Sequence, residues 1–164
     1  MRESTIDIAT RDGAIETLIC HPERGDPHPA VLMLMDVPGT REKVRGTARR
    51  LASVGFRAMV PNLYCRAGRD TMFGPGVVER GEPGRDRMLA IRTRMTIPPV
   101  MGDVAPLPMV AQLQALFDVW GAEGEIGIHP AVHHGFAFPQ RWCFDKPAGE
   151  RHWERLISLY RRQL

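Results

Sequence analysis

The sequence predicts an α/β protein, a three-layer sandwich around a mostly parallel sheet. The first observation is a continuous apolar run at residues 30–35, which is typical of a strand buried on both faces. The second is a helical spacing of apolar residues at 41–54, and the third is a further short apolar strand at 56–60. Strand, helix and strand joined by tight connections predict a βαβ unit with a right-handed crossover.

The other elements follow from the same patterns and complete the predicted fold. Pro and Gly end several of them, and the long segment 66–84, which is rich in Gly, Pro and charge, is predicted to be a loop. The apolar stripes of the predicted helices are expected to face the core. The further elements are a strand at 14–20, helices at 85–96, 109–120 and from about 149 to 164, and a short strand at 125–129.

Length and composition limit the classes of function. A chain of 164 residues predicts a single domain, residues 1–164. The net charge of +3 is spread over scattered arginines, which argues against a nucleic-acid partner. The cysteines Cys20, Cys65 and Cys143 lie far apart, as expected for reduced thiols. With no signal peptide and no apolar run of membrane-spanning length, we expect a cytoplasmic protein without a membrane partner.

Candidate chemistry lies in the loops after three of the predicted strands, since ligands of open parallel sheets bind beyond the carboxyl ends of the strands. These loops are 36–39, 62–66 and 133–136. His134 precedes a glycine in the last of them, and a loop histidine in this position suits a general base. A histidine on the surface without a catalytic role is the alternative.

Two long stretches carry a resemblance to a known family. They are PHPAVLMLMDVPGTREKVRGTARRLASVGFRAMVPNLYCR near the start and VHHGFAFPQRWCFDKPAGERHWERLISLYRRQL at the end. Together they resemble the dienelactone hydrolase family of α/β-hydrolases. The resemblance implies an α/β-hydrolase-like fold and a Cys–His–Asp or Ser–His–Asp triad that acts on carboxylic esters or lactones, with no cofactor.

The resemblance also implies roles for individual residues. His134 matches the triad histidine, and Asp36 matches a carboxylate that lies beside the nucleophile in this family. Among the substrate-binding positions, the N–H of Val37 matches an oxyanion-hole donor, Arg66 an arginine near a substrate carboxylate, and Tyr64 lies in the same motif. The expected partner is therefore a small-molecule ester or lactone.

The chain departs from the family at its centre. The family's nucleophile elbow reads G-x-C-x-G or G-x-S-x-G, and no two glycines in this sequence are four residues apart. The central block of the family seems absent, with the seam near 97–104. Asp103 resembles the acid that partners the triad histidine, shifted by one residue. Either the shift is tolerated, or Gly102 has replaced the acid, or Asp103 belongs to the segment before the missing block.

Three explanations of the missing block stay open: a shortened gene, a sheet completed by a partner subunit (for which self-association is one route), or a catalytically inert remnant. The last makes a catalytically inactive binding protein the alternative function. Cys65 follows a predicted strand and is either a packing thiol or a replacement nucleophile. No metal site is expected at His129, His133 and His134, because Pro130 interrupts any helix and no carboxylate is suitably placed.

Overall fold

The computed structural model describes residues 1–11, 13–69, 71–74, 77, 81–94, 107–121 and 126–164. No helix in these ranges is both long enough and apolar enough to cross a membrane. The elements in chain order are β1 (Arg2–Thr10), β2 (Gly13–His21), β3 (Ala30–Leu32), α1 (Glu42–Ser53), β4 (Arg57–Pro61), a 3-10 turn (Cys65–Ala67), α2 (Arg85–Arg94), α3 (Leu107–Trp120) and α4 (Lys146–Gln163).

The βαβ unit is confirmed. Strands β3 and β4 pair in parallel, with Ala30 opposite Arg57, and α1 connects them. The buried face of α1 consists of Val44, Ala48, Leu51 and Ala52, at the spacing of one helical face. This face packs against β2 and β4. The tight connections of the sequence therefore give the predicted local topology, and the fold is α/β.

The prediction of a mostly parallel sheet is wrong. The strand order is β1-β2-β4-β3, and both β1–β2 and β2–β4 are antiparallel. Strand β1 was not predicted, because its nine residues alternate only weakly between polar and apolar; in the structure most of them are exposed. It forms a hairpin with β2 that places Thr10 opposite Gly13. An antiparallel hairpin can leave one face in water, which explains how a polar strand joins this sheet.

Strand β3 is shorter than the predicted run at 30–35, and it lies at the sheet edge. It ends at Leu32, although the N–H of Met33 still donates to the Met59 carbonyl at 2.8 Å. The side chains of Leu32 and Leu34 are 66% and 63% exposed. The interpretation as a strand buried on both faces is therefore wrong, because Val31 is buried on one face while Ala30 and Leu32 on the other face are exposed.

The chain divides into two compact units. The first contains Met1–Pro99 with Leu156–Leu164, and the second contains Val100–Arg155. The sheet, α1 and α2 belong to the first unit. The prediction of one domain and the three-layer arrangement stay predictions.

Two expectations for the second unit are wrong. The apolar stripe of α3 was expected in the core, but Leu113, Leu116 and Trp120 are 44%, 53% and 79% exposed. The predicted strand at 125–129 is irregular over its described residues 126–129. Gly127 inside this short segment and Pro130 directly after it both disfavour strand pairing.

Helix α4 begins at Lys146, a few residues before the predicted start. Asp145 explains the earlier start, because its side-chain oxygen accepts a hydrogen bond from the Ala148 N–H at 2.8 Å. Its carbonyl also accepts from the Gly149 N–H at 2.8 Å. This is the geometry of an N-terminal helix cap.

Candidate active site

A tight turn follows β3 and fixes the backbone of the first candidate segment. The Gly39 N–H donates to the Asp36 carbonyl at 3.0 Å, and the Arg41 N–H donates to the Gly39 carbonyl at 2.8 Å. Gly39 has φ +101, and a Cβ there would lie 2.8 Å from the Thr71 carbonyl oxygen. Glycine is required at this position for both its conformation and its lack of a side chain.

Tyr64 connects the second candidate segment to the first. Its side chain is fully buried, and its O–H donates to the Val37 carbonyl at 2.5 Å. Asn62 holds Tyr64 in turn, because its side-chain oxygen accepts from the Tyr64 N–H at 2.9 Å. The ring also packs edge-on against Phe73 at 5.7 Å between centroids. The structure therefore joins Val37 and Tyr64, two of the predicted substrate-binding residues.

Asp36 is paired with a residue that the sequence analysis did not single out. Arg41 donates a hydrogen bond to the Asp36 carboxylate across the turn. The Arg41 side chain is 16% exposed, and its Nε is buried without a hydrogen-bond partner among the described residues. The pairing depends on the turn at Gly39, so only a prediction of the turn geometry could have found it.

Arg66 and Cys65 lie two and one residues beyond Tyr64, in the 3-10 turn. Arg66 is exposed, and Cys65 is a free thiol of intermediate exposure. The Cys65 N–H donates to the Asn62 carbonyl at 3.1 Å, which fixes the start of this turn. Since β3 and β4 are parallel neighbours, the segments after them lie at the same edge of the sheet.

A small, open concavity lies in the same unit. Its lining combines the hairpin, the turn after β3 and the segment after β4. It brings the carboxylate of Glu16 and the guanidinium of Arg45 to one concavity, whereas Asp36, Val37, Tyr64 and Arg66 do not line it. The lining residues are Thr5, Glu16, Leu18, Thr40, Arg45, Val60, Asn62, Thr71 and Met72.

His134 lies in the second compact unit, on a loop of consecutive turns before α4. Its side chain is exposed, and its carbonyl accepts a hydrogen bond from the Cys143 thiol at 3.3 Å. Gly135 beside it has φ +88, and a Cβ there would lie 2.6 Å from the Arg141 side chain. The convergence of His134 with Asp36 and Arg66 stays a prediction, and Asp103 lies outside the described residues.

The same unit contains a pair of neighbouring histidines, His129 and His152, that was not predicted. The rings of His129 and His152 lie 5.7 Å apart, and Phe136 contacts both of them. Burial lowers the pKa of His152 below its ordinary value, and the nearby His129 lowers it further. The neutral form of His152 is therefore favoured in the folded state.

Comparison with known proteins points to one family. Residues 15–95 match the model of the "Dienelactone hydrolase family". A curated protein of Methylorubrum extorquens, named "Putative carboxymethylenebutenolidase", is 35% identical over 63 residues, which is 38% of this chain and 22% of that protein. The matched segment thus spans less than a quarter of that relative.

The fold has a counterpart among solved structures. A crystal structure from Klebsiella pneumoniae, named "Putative Dienelactone Hydrolase", superposes with a TM-score of 0.73. The alignment covers 97% of this chain and 98% of that chain at 16% identity. At this level of identity the likeness shows the fold alone.

Proposed function

Residues 15–95 belong to the dienelactone hydrolase family, and on this basis we propose that the chain binds a carboxylic ester or lactone and promotes its hydrolysis without a covalent intermediate. The binding site is the edge of the sheet where the segments after β3 and β4 meet. The observation that carries the proposal is the hydrogen bond from the buried Tyr64 hydroxyl to the Val37 carbonyl.

This hydrogen bond supports the role of Val37 as an oxyanion-hole donor. Stabilisation of a developing oxyanion requires an N–H that is already oriented before the reaction. The Tyr64 hydroxyl and the turn at Gly39 restrain the backbone on both sides of Val37. None of the described backbone carbonyls accepts a hydrogen bond from the Val37 N–H, which leaves it available to a substrate oxygen.

The charges near this backbone fit an anionic or polar substrate. Arg66 is exposed beyond β4 and would attract a substrate carboxylate. Arg41 neutralises Asp36 across the turn, so this carboxylate does not repel such a substrate as a lone charge would. Asp36 in this pairing acts as a positioning group for the turn.

The proposed reaction uses water directly, because the sequence lacks the elbow motif. His134 takes a proton from the water as its oxygen attacks the carbonyl carbon, and the Val37 N–H stabilises the resulting oxyanion. Collapse of this intermediate breaks the bond to the alcohol oxygen, which takes the proton back from His134. Asp103 is the proposed partner that orients His134.

A catalytically inactive binding protein is the alternative function. The family match does not favour it, because the matched segment contains the turn and the strand ends that form the proposed oxyanion site. The two functions differ in one measurable property, which is turnover that depends on His134.

The test is hydrolysis of a chromogenic ester and of an unsaturated γ-lactone. We expect slow, linear turnover without a burst, below the roughly 10³–10⁴-fold over water that a triad enzyme retains when its triad is removed. His134→Ala should abolish this turnover. His133→Ala is the matched control, since it removes an exposed histidine from the same loop.

Two outcomes would overturn the proposal. Equal turnover in the wild type and in His134→Ala would show that His134 is not the general base. A burst that Cys65→Ala abolishes would show an acyl-enzyme and make Cys65 the nucleophile, so that the reaction would be covalent.

A further inference from the structure

Two histidines and an aspartate meet at the opposite edge of the sheet from the candidate active site. His21 is the last residue of β2, and Asp26 and His28 lie in the loop that leads to β3. One potential ligand atom from each residue lies within 4.8 Å of the other two. The sequence analysis did not consider this H-x4-D-x-H pattern, because nothing in the sequence shows that the loop folds back on the strand.

His21 has the hydrogen bonding of a metal-binding imidazole. Its Nδ1 lies 2.6 Å from the Pro22 carbonyl oxygen. A carbonyl oxygen can only accept, so Nδ1 carries the proton and donates it. The neutral ring then keeps a lone pair on Nε2, and a backbone carbonyl is the usual partner of the second nitrogen in a metal-ligating histidine.

His28 directs a ring nitrogen without a hydrogen-bond partner toward Asp26. Its side chain is only 7% exposed, and its Nε2 is buried without a hydrogen-bond partner among the described residues. This nitrogen lies 3.4 Å from a carboxylate oxygen of Asp26. Buried polar atoms normally have partners, so an unpaired nitrogen facing a carboxylate needs an explanation. A bound cation between the two would supply one.

Asp26 is oriented from the neighbouring strand. Arg57, the first residue of β4, donates a hydrogen bond to Asp26 Oδ1 at 2.9 Å. Oδ1 is also the carboxylate oxygen that faces His28, and ligating carboxylates are commonly hydrogen-bonded by such outer groups. The positive charge of Arg57 disfavours cations that bind through charge alone. The set therefore suits a metal that prefers imidazole nitrogen over one that prefers oxygen.

We propose that His21, Asp26 and His28 form a binding site for a divalent transition metal of the Zn²⁺ type. Water completes the coordination of the three protein ligands. Bonds of roughly 2.0–2.2 Å would place the ligand atoms closer together than in the empty cluster, which the loop can accommodate by a small shift.

The position of the site indicates a structural role. Because β2 is antiparallel to β4, His21 lies beside the amino ends of β3 and β4. Asp36 and Tyr64 follow the carboxyl ends, about 15 Å away at the usual rise along a five-residue strand. The metal would fasten the loop between β2 and β3 to the sheet, and the proposal does not depend on the proposed hydrolysis.

The test is titration of the chelator-treated full-length chain with ZnCl₂ in competition with a chromogenic chelator, and with MgCl₂ for comparison. We expect one Zn²⁺ per chain with micromolar or tighter affinity, no Mg²⁺ binding, and a higher midpoint of thermal unfolding with Zn²⁺. His21→Ala and His28→Ala should each weaken Zn²⁺ binding at least tenfold. His133→Ala, in the second unit, is the control for adventitious histidine binding.

Asp26→Asn provides a variant that should keep its fold, because the Asp26 side chain is 59% exposed. It should also weaken Zn²⁺ binding at least tenfold. Co²⁺ absorption gives a second readout, since its visible bands report nitrogen and oxygen ligands directly. Binding that is equal in the wild type, Asp26→Asn and His28→Ala would overturn the proposal. So would the absence of one-to-one binding in the wild type.

Discussion

At the scale of single residues, Tyr64 has the clearest role in the candidate active site. It is fully buried, and its hydroxyl donates a hydrogen bond to the Val37 carbonyl. Tyr64 therefore acts on a substrate only through the backbone of Val37. The sequence motif placed Tyr64 among the substrate-binding residues. The structure gives a reason to describe it as a positioning residue.

Tyr64→Phe should therefore affect both stability and turnover. Removing the hydroxyl leaves the Val37 carbonyl without its donor, which should lower the free energy of unfolding by about 1–3 kcal/mol. We expect hydrolysis to fall mainly in kcat, because a displaced N–H stabilises the oxyanion less. Urea unfolding and steady-state kinetics measure the two effects. Tyr160→Phe is the control, since the Tyr160 ring packs on Phe56, and equal effects of both substitutions would contradict this role.

The sequence places the candidate site residues along the chain, but it does not predict their contacts. Asp36 and Tyr64 were identified because each follows an apolar strand of the βαβ unit, and such strands fix where a loop begins. The partner of Asp36 was missed, since Arg41 approaches it only after the turn at Gly39 closes. The burial of His28 was missed for the same reason, because it depends on how a loop folds over a strand.

At the scale of elements, the sequence predicts a helix, and the pairing of two strands joined by short connections, better than it predicts the partners of other strands. Helix α1 and the pairing of β3 with β4 follow from apolar spacing and short connections. The hairpin of β1 and β2 depends on pairing partners that the weak alternation of β1 does not specify. The failure at 125–129 has the same origin, since a short apolar segment becomes a strand only when a sheet edge accepts it.

Helix α4 makes the stability of the fold sensitive to pH through His152. Burial, and then His129, lower the pKa of His152 below its ordinary value of 6.5. The unfolded chain therefore binds more protons than the folded chain between the two pKa values, and the free energy of unfolding rises with pH there. The contribution is fully present above pH 6.5 and is lost as the pH falls through the folded pKa.

We expect urea unfolding at pH 5 to show a lower free energy than at pH 7.5. The difference should shrink in His152→Gln, which removes the titrating group, and persist in His133→Gln, which removes an exposed histidine. An unchanged pH dependence in His152→Gln would assign the effect to another group.

At the scale of the whole molecule, the unpaired edge of strand β3 is the feature that most favours aggregation. Strand β3 is an edge strand of three residues, and none of the described strands covers its outer side. Natural edges are protected by charges, prolines or covering elements, whereas this one continues into the exposed Leu32 and Leu34.

The chain should therefore associate with itself through this edge, or aggregate. A strand of a second copy that pairs with β3 would satisfy its free N–H and C=O groups and bury the leucines in one step. Light scattering after size exclusion should show an oligomer that dissociates on dilution. Leu34→Lys should raise the monomer fraction, because a charge at an edge opposes strand addition. Leu159→Lys, which substitutes a 43% exposed leucine of α4, should not. A monodisperse monomer with a cooperative thermal transition at high temperature, unaffected by either substitution, would show that the edge of β3 is already protected.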